Sequence, residues 1–305
     1  MDDSGDAREA SADPQGGVPD PVAMMLDVLD LDSSAARTTE DIFTGASHRM
    51  PGGRIFGGQV LAQAILAADR TTGDDRVPHS MHGYFLRPGD ASQGITLSVD
   101  RIHDGRSFST RRTQAYQQGV PIFSMIASFE DEDPGLDHQS AVPSDVIPPE
   151  QALVGMRSAA SHPLSRRLLS DSPIELAHAD GPIYDDVPGQ PAAHQNVWMR
   201  TRRRIGDDPA VHRAVLAYMS DLTIQESVLR AHGIAWSHPG LKVASLDHAM
   251  WWHRAARVDD WLLYAQESPS ARGGRGLATG RIFTREGLLV ATVAQEIMIR
   301  VPEGD

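Results

Sequence analysis

The chain says the same thing twice, and this limits its fold more than any other feature. Gly105-Arg106-Ser107-Phe108-Ser109-Thr110 returns as Gly274-Arg275-Gly276-Leu277-Ala278-Thr279. Gly119-Val120-Pro121-Ile122-Phe123-Ser124 returns as Gly287-Leu288-Leu289-Val290-Ala291-Thr292, and His82-Gly83-Tyr84-Phe85 returns as His248-Ala249-Met250-Trp251. Upstream, Gly57 at the start of one helix pattern corresponds to Asp221 in the second half. Two copies are too few for a solenoid, which needs at least three stacked repeats to close a core. They describe a tandem duplication of one domain, and 305 residues hold two domains of about 100–150 residues each.

The repeated unit is a helix followed by strands. Gln59 to Arg70 reads as a helix whose Val60, Ala64, Ala67 and Ala68 make a small-residue stripe suited to close approach by a sheet. His82–Leu86, Ile95–Ile102, Ser107–Gln117 and Pro121–Glu130 then read as strands. Asp104-Gly105 and Gln118-Gly119 fall between them, the short steps that connect antiparallel neighbours. The expected class is therefore α+β, an antiparallel sheet with one central helix in each half. Residues 1–20 have almost nothing to bury and read as a disordered tail. A short helix opening at Pro21 begins an N-terminal domain, 21–130, and a C-terminal domain spans 196–305. Between them, nine of the 20 prolines fall in residues 131–195, which reads as a long connection with a short helix near Pro149–Ala160 and no core of its own.

Composition removes several kinds of chemistry. With no cysteine there is no thiol nucleophile, iron–sulfur cluster, zinc ribbon or disulfide scaffold, as suits a reducing cytoplasm. A formal charge of −13 argues against a nucleic-acid or anionic-membrane partner, since both call for a positive field. No apolar run is long enough to span a bilayer, and neither end of the chain reads as a targeting address, so a cytoplasmic protein is expected. Lys242 is the only lysine, so an anionic ligand would be gripped by arginine forks. Nucleophile-elbow, phosphate-loop and His-Glu-x-x-His motifs are absent from the sequence. His79 and His82 have a ligand-like spacing, but three residues apart on a strand they point to opposite faces, and no metal is expected.

Positions where the two halves differ in chemistry are not dictated by the shared fold. Gln295 interrupts an otherwise apolar face, Leu289-Ala291-Val293-Gln295-Ile297-Ile299, where the first half has Ala127. A primary amide there needs partners or costs about 1–3 kcal/mol. Asp221, facing Gly57 in the alignment, reads either as a plain helix cap or as a cap that is also a base beside backbone amides. Ser245, facing His79, is either structural or the hydroxyl of the same site. A carboxylate, a hydroxyl and an amide could hold and deprotonate a water without a metal.

At these residues the chain resembles the acyl-CoA thioesterase II family. The likeness lies in Arg54-Ile55-Phe56-Gly57-Gly58-Gln59-Val60, His79-Ser80-Met81-His82-Gly83-Tyr84-Phe85-Leu86-Arg87-Pro88-Gly89-Asp90 and Asp104-Gly105-Arg106-Ser107-Phe108-Ser109-Thr110-Arg111-Arg112. In the second half it lies in Tyr218-Met219-Ser220-Asp221-Leu222, Leu246-Asp247-His248-Ala249-Met250-Trp251-Trp252-His253-Arg254, Asp260-Trp261-Leu262-Leu263-Tyr264 and Gln295-Glu296. The resemblance implies a double hotdog and hydrolysis of medium- to long-chain acyl-CoA to fatty acid and CoA, with no cofactor. It implies Asp221, Ser245 and Gln295 as the catalytic set, one site per chain. His79 is the runner-up, and Arg106, Arg111, Arg112, Arg272 and Arg275 are candidates to hold CoA phosphates, with His79, Arg106, Arg112 and Arg275 the chosen substrate-binding set. It implies assembly of double hotdogs into homo-oligomers. The family usually has threonine at Ser245 and glycine at Ile297, which bears on acyl-chain preference. A non-catalytic acyl-CoA-binding double hotdog is the alternative, and dehydratase chemistry on the same fold a third reading.

Overall fold

A computed structural model describes residues 20–34, 39–48, 53–73, 75–158 and 171–302. The expected tail lies outside these residues except for Asp20, whose carboxylate accepts the Val22 N–H at 2.9 Å and caps α1 (Pro21–Asp27). The first half continues with β1 (Asp32–Ser34), β2 (Asp41–Gly45), α2 (Gly57–Asp69), β3 (Arg76–Phe85), β4 (Ile95–Asp104), β5 (Phe108–Gln117) and β6 (Val120–Asp131). Then come α3 (Pro149–Ser158), β7 (Ile174–His178), β8 (His194–Thr201), α4 (Pro209–Ser220) and α5 (Glu226–Ala231). The chain closes with β9 (Lys242–Ser245), β10 (Asp247–Trp252), β11 (Leu262–Arg272), β12 (Arg275–Thr284) and β13 (Leu289–Arg300).

The strands form one antiparallel sheet in the order β1-β2-β4-β5-β6-β3-β10-β13-β12-β11-β8-β7, with β9 also on β13. The order is mirrored about the β3–β10 seam, where Met81 faces Met250. A two-fold therefore relates the halves, and the expected α+β double hotdog is what the chain forms. Strand alternation sets the faces: in β5, Ser109, Arg111, Thr113, Ala115 and Gln117 point inward and their neighbours outward.

Every residue of α2 from Gly58 to Ala68 is buried, because the sheet wraps one side and α4 covers the other. The two helices approach so closely that a Cβ on Gly58 would lie 2.4 Å from the Tyr218 carbonyl oxygen. Only glycine fits there. The helices run antiparallel, with the start of α2 against the end of α4.

Three expectations change. The second central helix does not open at Asp221. Asp208 accepts the Ala210 N–H at 2.9 Å and Pro209 takes the first helical position, so α4 begins there and Asp221 is its C-cap. The 131–195 connection contains α3 near the expected place, but also β7, which pairs with β8 at the far edge of the second half of the sheet. It also closes a small apolar cluster on the outer face of that sheet, where Val146, Ile147, Ala152 and Leu153 meet Ala177, Trp198 and Leu263. Finally, the halves match with a small shift near the seam. β5 (Phe108–Gln117) corresponds to β12 (Arg275–Thr284), and the slip in register between Pro78 and Ser80 recurs between Ser245 and Asp247. His79 therefore corresponds to Leu246 and Ser245 to Pro78, whereas Gln295 corresponds to Ala127 as the alignment had it.

Candidate active site

Three side chains from the second half converge beside the first helix of the first. Asp221 sits where α4 ends, Ser245 ends β9, and Gln295 lies on the inner face of β13. The Ser245 hydroxyl donates to Asp221 Oδ1 at 3.0 Å, and the Gln295 amide nitrogen donates to Asp221 Oδ1 at 3.0 Å and to Ser245 Oγ at 2.8 Å. The backbone N–H of Gly58 also bonds the Asp221 carboxylate. Asp221 Oδ2 points toward Gly57, where an added Cβ would come within 2.6 Å of it. The Gly57-Gly58 start of α2 is thus required twice, by the helix contact and by the carboxylate.

Electrostatically the carboxylate stands at the unfavourable C-terminal end of α4 and the favourable N-terminal end of α2, whose N-cap residue Phe56 supplies no side-chain bond. Burial is the largest influence: it pushes the Asp221 pKa up to about 6, against the lowering effect of Gln295, Ser245 and Gly58. A carboxylate with that affinity for a proton is suited to general-base work near neutral pH.

A cavity of about 380 Å³ opens onto Asp221, Ser245 and Gly57. Phe56, Val60, Phe85, Ile122, Trp236 and Leu246 give it an apolar wall, and Arg54 and Arg87 bring two cations to its lining. Phe56 is fixed edge-on against Tyr218 with ring centroids 4.9 Å apart, and the Trp236 indole N–H donates to the buried Glu226 at 3.2 Å.

Asp221, Ser245 and Gln295 meet as the sequence suggested, with one change: Ser245 and Gln295 both bond Asp221 Oδ1. The four substrate-binding candidates do not join them. His79 lines a separate cavity with Arg213 and Trp252. Arg106 is exposed in the β4–β5 turn. Arg112 pairs with Asp100 at 3.0 Å and Arg275 with Glu296 at 2.9 Å, both on outward-facing strand positions. Arg111 points inward, where Thr71 and Asp104 bind it. Sequence reasoning missed Arg54 and Arg87, although both flank the glycine turn and the Pro88-Gly89 step it had quoted. It also missed His248, which is fully buried behind Gln295. Among the described residues no group of His, Asp and Glu is arranged to hold a metal ion, and no helix is long and apolar enough to cross a membrane.

Comparison with known proteins gives the family. Residues 172–298 match the family described as acyl-CoA thioesterase, and residues 46–130 match the acyl-CoA thioesterase N-terminal domain. Human acyl-coenzyme A thioesterase 8 is 37% identical over 277 residues, 86% of this chain and 85% of that protein. Acyl-CoA thioesterase 2 of Haemophilus influenzae is 35% identical over 270 residues, covering 86% of this chain and 93% of its own. Among solved structures, an acyl-CoA thioesterase II from Mycobacterium marinum superposes with a TM-score of 0.73 at 40% identity, covering 92% of this chain and 98% of that one.

Proposed function

The chain belongs to the acyl-CoA thioesterase II family and is a thioester hydrolase, and from that premise we propose that Asp221, Ser245 and Gln295 direct a water onto medium- to long-chain acyl-CoA. The observation that carries this reading is the convergence of Ser245 and Gln295 on the Asp221 carboxylate at the start of α2. Ser245 and Gln295 occupy Asp221 Oδ1 and orient the carboxylate, which leaves Oδ2 to take a proton from water. The water oxygen bonds to the thioester carbon as that proton moves to Oδ2. The carbonyl oxygen, now an oxyanion, is stabilised by the positive N-terminal end of α2. Collapse of the intermediate breaks the C–S bond, and the proton held by Asp221 passes to the departing thiolate, giving fatty acid and CoA.

The apolar wall of Phe56, Val60, Phe85 and Trp236 suits the acyl chain, and Arg54 and Arg87 suit the phosphates of CoA. The same reading places the enzyme in the cytoplasm and in homo-oligomers of double hotdogs. Exposed Tyr84, Ile126 and Trp251 on the outer face of the central strands give such a contact apolar area, and light scattering reads the state directly.

Thiol release from acyl-CoAs of graded length, followed with a thiol-reactive dye, tests the proposal. The chain has no cysteine and adds no background. Release is expected to peak at medium to long chains and to fall by roughly 10³-fold in Asp221→Asn. Release that survives the substitution moves the base elsewhere. Acyl-CoA bound without release from any length sinks the hydrolytic reading of this site.

A further inference from the structure

Gln295 and His248 are both fully buried, so no solvent completes their hydrogen bonds. The Gln295 amide nitrogen has two hydrogens, and Asp221 Oδ1 and Ser245 Oγ lie at 3.0 and 2.8 Å from it. A carboxylate only accepts, so the amide must face this way, and its oxygen faces His248 Nδ1, with which it is in hydrogen-bond contact. A carbonyl oxygen also only accepts, so Nδ1 carries the imidazole hydrogen. The second ring nitrogen, Nε2, lies 3.0 Å from Ser220 Oγ. The Ser220 hydroxyl hydrogen is divided between Nε2 and the Ala217 carbonyl at 2.8 Å, while Tyr264 donates to the Ser220 carbonyl at 3.1 Å and steadies the end of α4. Burial pushes the His248 pKa down to about 4, which keeps the ring neutral and leaves one tautomer.

The first half gives an internal control. Met81 corresponds to His248 and Ala127 to Gln295, and these two face each other across β3 and β6, so the half without the amide is also without the imidazole. His79 has a buried Nε2 with no partner among the described residues.

We propose that His248 is a positioning residue that donates Nδ1–H to the Gln295 amide oxygen and so holds both amide hydrogens on Asp221 and Ser245. This rests on the reading of Asp221, Ser245 and Gln295 as the hydrolytic set, and it adds to that set a group that never touches substrate. Its chemistry makes a substitution pattern that a merely space-filling histidine would not. The side-chain nitrogen of Asn reaches the place of Nδ1, whereas that of Gln reaches the place of Nε2.

His248→Leu is expected to lower kcat by about 100-fold with KM within about threefold, and His248→Asn to recover kcat to within about tenfold of the parent. His248→Gln should stay as slow as His248→Leu. Gln295→Leu alone and His248→Leu/Gln295→Leu together should differ by less than about threefold, because the first removes what the second positions. Nitrogen-15 spectra should report the Nδ1–H tautomer in the parent protein. The proposal is overturned by a His248→Leu enzyme with normal kcat, by equal Asn and Gln variants, or by an Nε2–H tautomer. A Gln295→Leu enzyme with normal kcat instead overturns the hydrolytic set itself. Should His248→Leu fail to fold, Ser220→Ala takes its place: it frees the tautomer and is expected to lower kcat about tenfold at constant KM, and an unchanged kcat there refutes the proposal.

Discussion

The two ends of the α2–α4 pair are related by the two-fold of the sheet, and they are finished differently. At one end Asp221 follows α4 and meets the start of α2, and Ser220, Ser245, His248 and Gln295 are all hydrogen-bonded around it. At the other, α2 ends on Asp69 beside the start of α4. There Asp69 Oδ1, His79 Nε2, Arg213 Nε and Trp252 Nε1 are buried with no hydrogen-bond partner among the described residues. Burial pushes the Asp69 pKa up to about 6, against the lowering influence of Arg213. Both ends therefore have a helix start, a carboxylate with raised proton affinity and an imidazole. What the second end lacks is the amide and hydroxyl that orient the carboxylate, since Ala127 and Pro78 stand where Gln295 and Ser245 do. A raised pKa in a cavity is not sufficient for a site; the wiring around it makes the difference.

The sharpest way to break this comparison is to neutralise each carboxylate. Each binds its proton more tightly folded, at about 6, than its ordinary value of 3.8, so keeping it ionised costs stability at every pH above about 6. That cost fades as pH falls from 6 toward 4. Asp221→Asn should therefore raise the thermal midpoint at pH 8 by several degrees, reflecting up to about 2–3 kcal/mol, while abolishing turnover. Asp69→Asn should stabilise by less, because it is only partly buried, and leave kcat within about twofold. Paired melting curves at pH 8 and pH 4, with turnover on the same samples, decide it. An Asp69 variant that loses turnover would show the second end to be wired after all.

The pH profile is the next test. With Asp221 as base, kcat/KM should rise about tenfold per pH unit below a midpoint near 6 and flatten above it. Substituting Asp69 or His79 should leave the midpoint in place. A midpoint that follows either of them assigns the proton to the wrong end of the helix pair.

Much of this was legible in the sequence, for reasons that also explain the rest. The strands expected at Ile95–Ile102 and Pro121–Glu130 form, each two residues longer, as Ile95–Asp104 and Val120–Asp131, and the Gln118-Gly119 turn before the second has both residues at positive φ. Asp221, Ser245 and Gln295 stood out because an amide or carboxylate on an apolar pattern has to be explained. The start of α4 was missed although Asp208-Pro209 spells it out, because the repeat suggested a start at Asp221. The counterpart of His79 was misplaced by one residue, Ser245 for Leu246, because a sequence alignment of halves does not see the slip in register that both strands share. His248 reads as an ordinary core histidine until its two nitrogens are given partners, and that is a fact of three dimensions. The arginines are a similar case: strand alternation turns Arg112 and Arg275 outward, and Arg106 lies exposed in the β4–β5 turn.

That last failure supplies the finest test, since it concerns which cations face the cavity. Arg54 is exposed at its rim, and Arg87 is held there by its bond to the Pro121 carbonyl at 2.8 Å. On a chain with a net charge of −13 these two guanidinium groups must attract a polyanion against the overall field. Arg54→Ala and Arg87→Ala are each expected to raise KM for acyl-CoA about fivefold with kcat unchanged, whereas Arg112→Ala or Arg275→Ala should change it less than about twofold. The Arg54 and Arg87 effects should shrink as salt is added, because screening already weakens the attraction they supply. They should also vanish with acyl-pantetheine, which has the same thioester without the phosphates. If instead the Arg112 and Arg275 variants raise KM and the rim variants do not, CoA lies across the outer face of the sheet and the thioester must reach Asp221 from the opposite side.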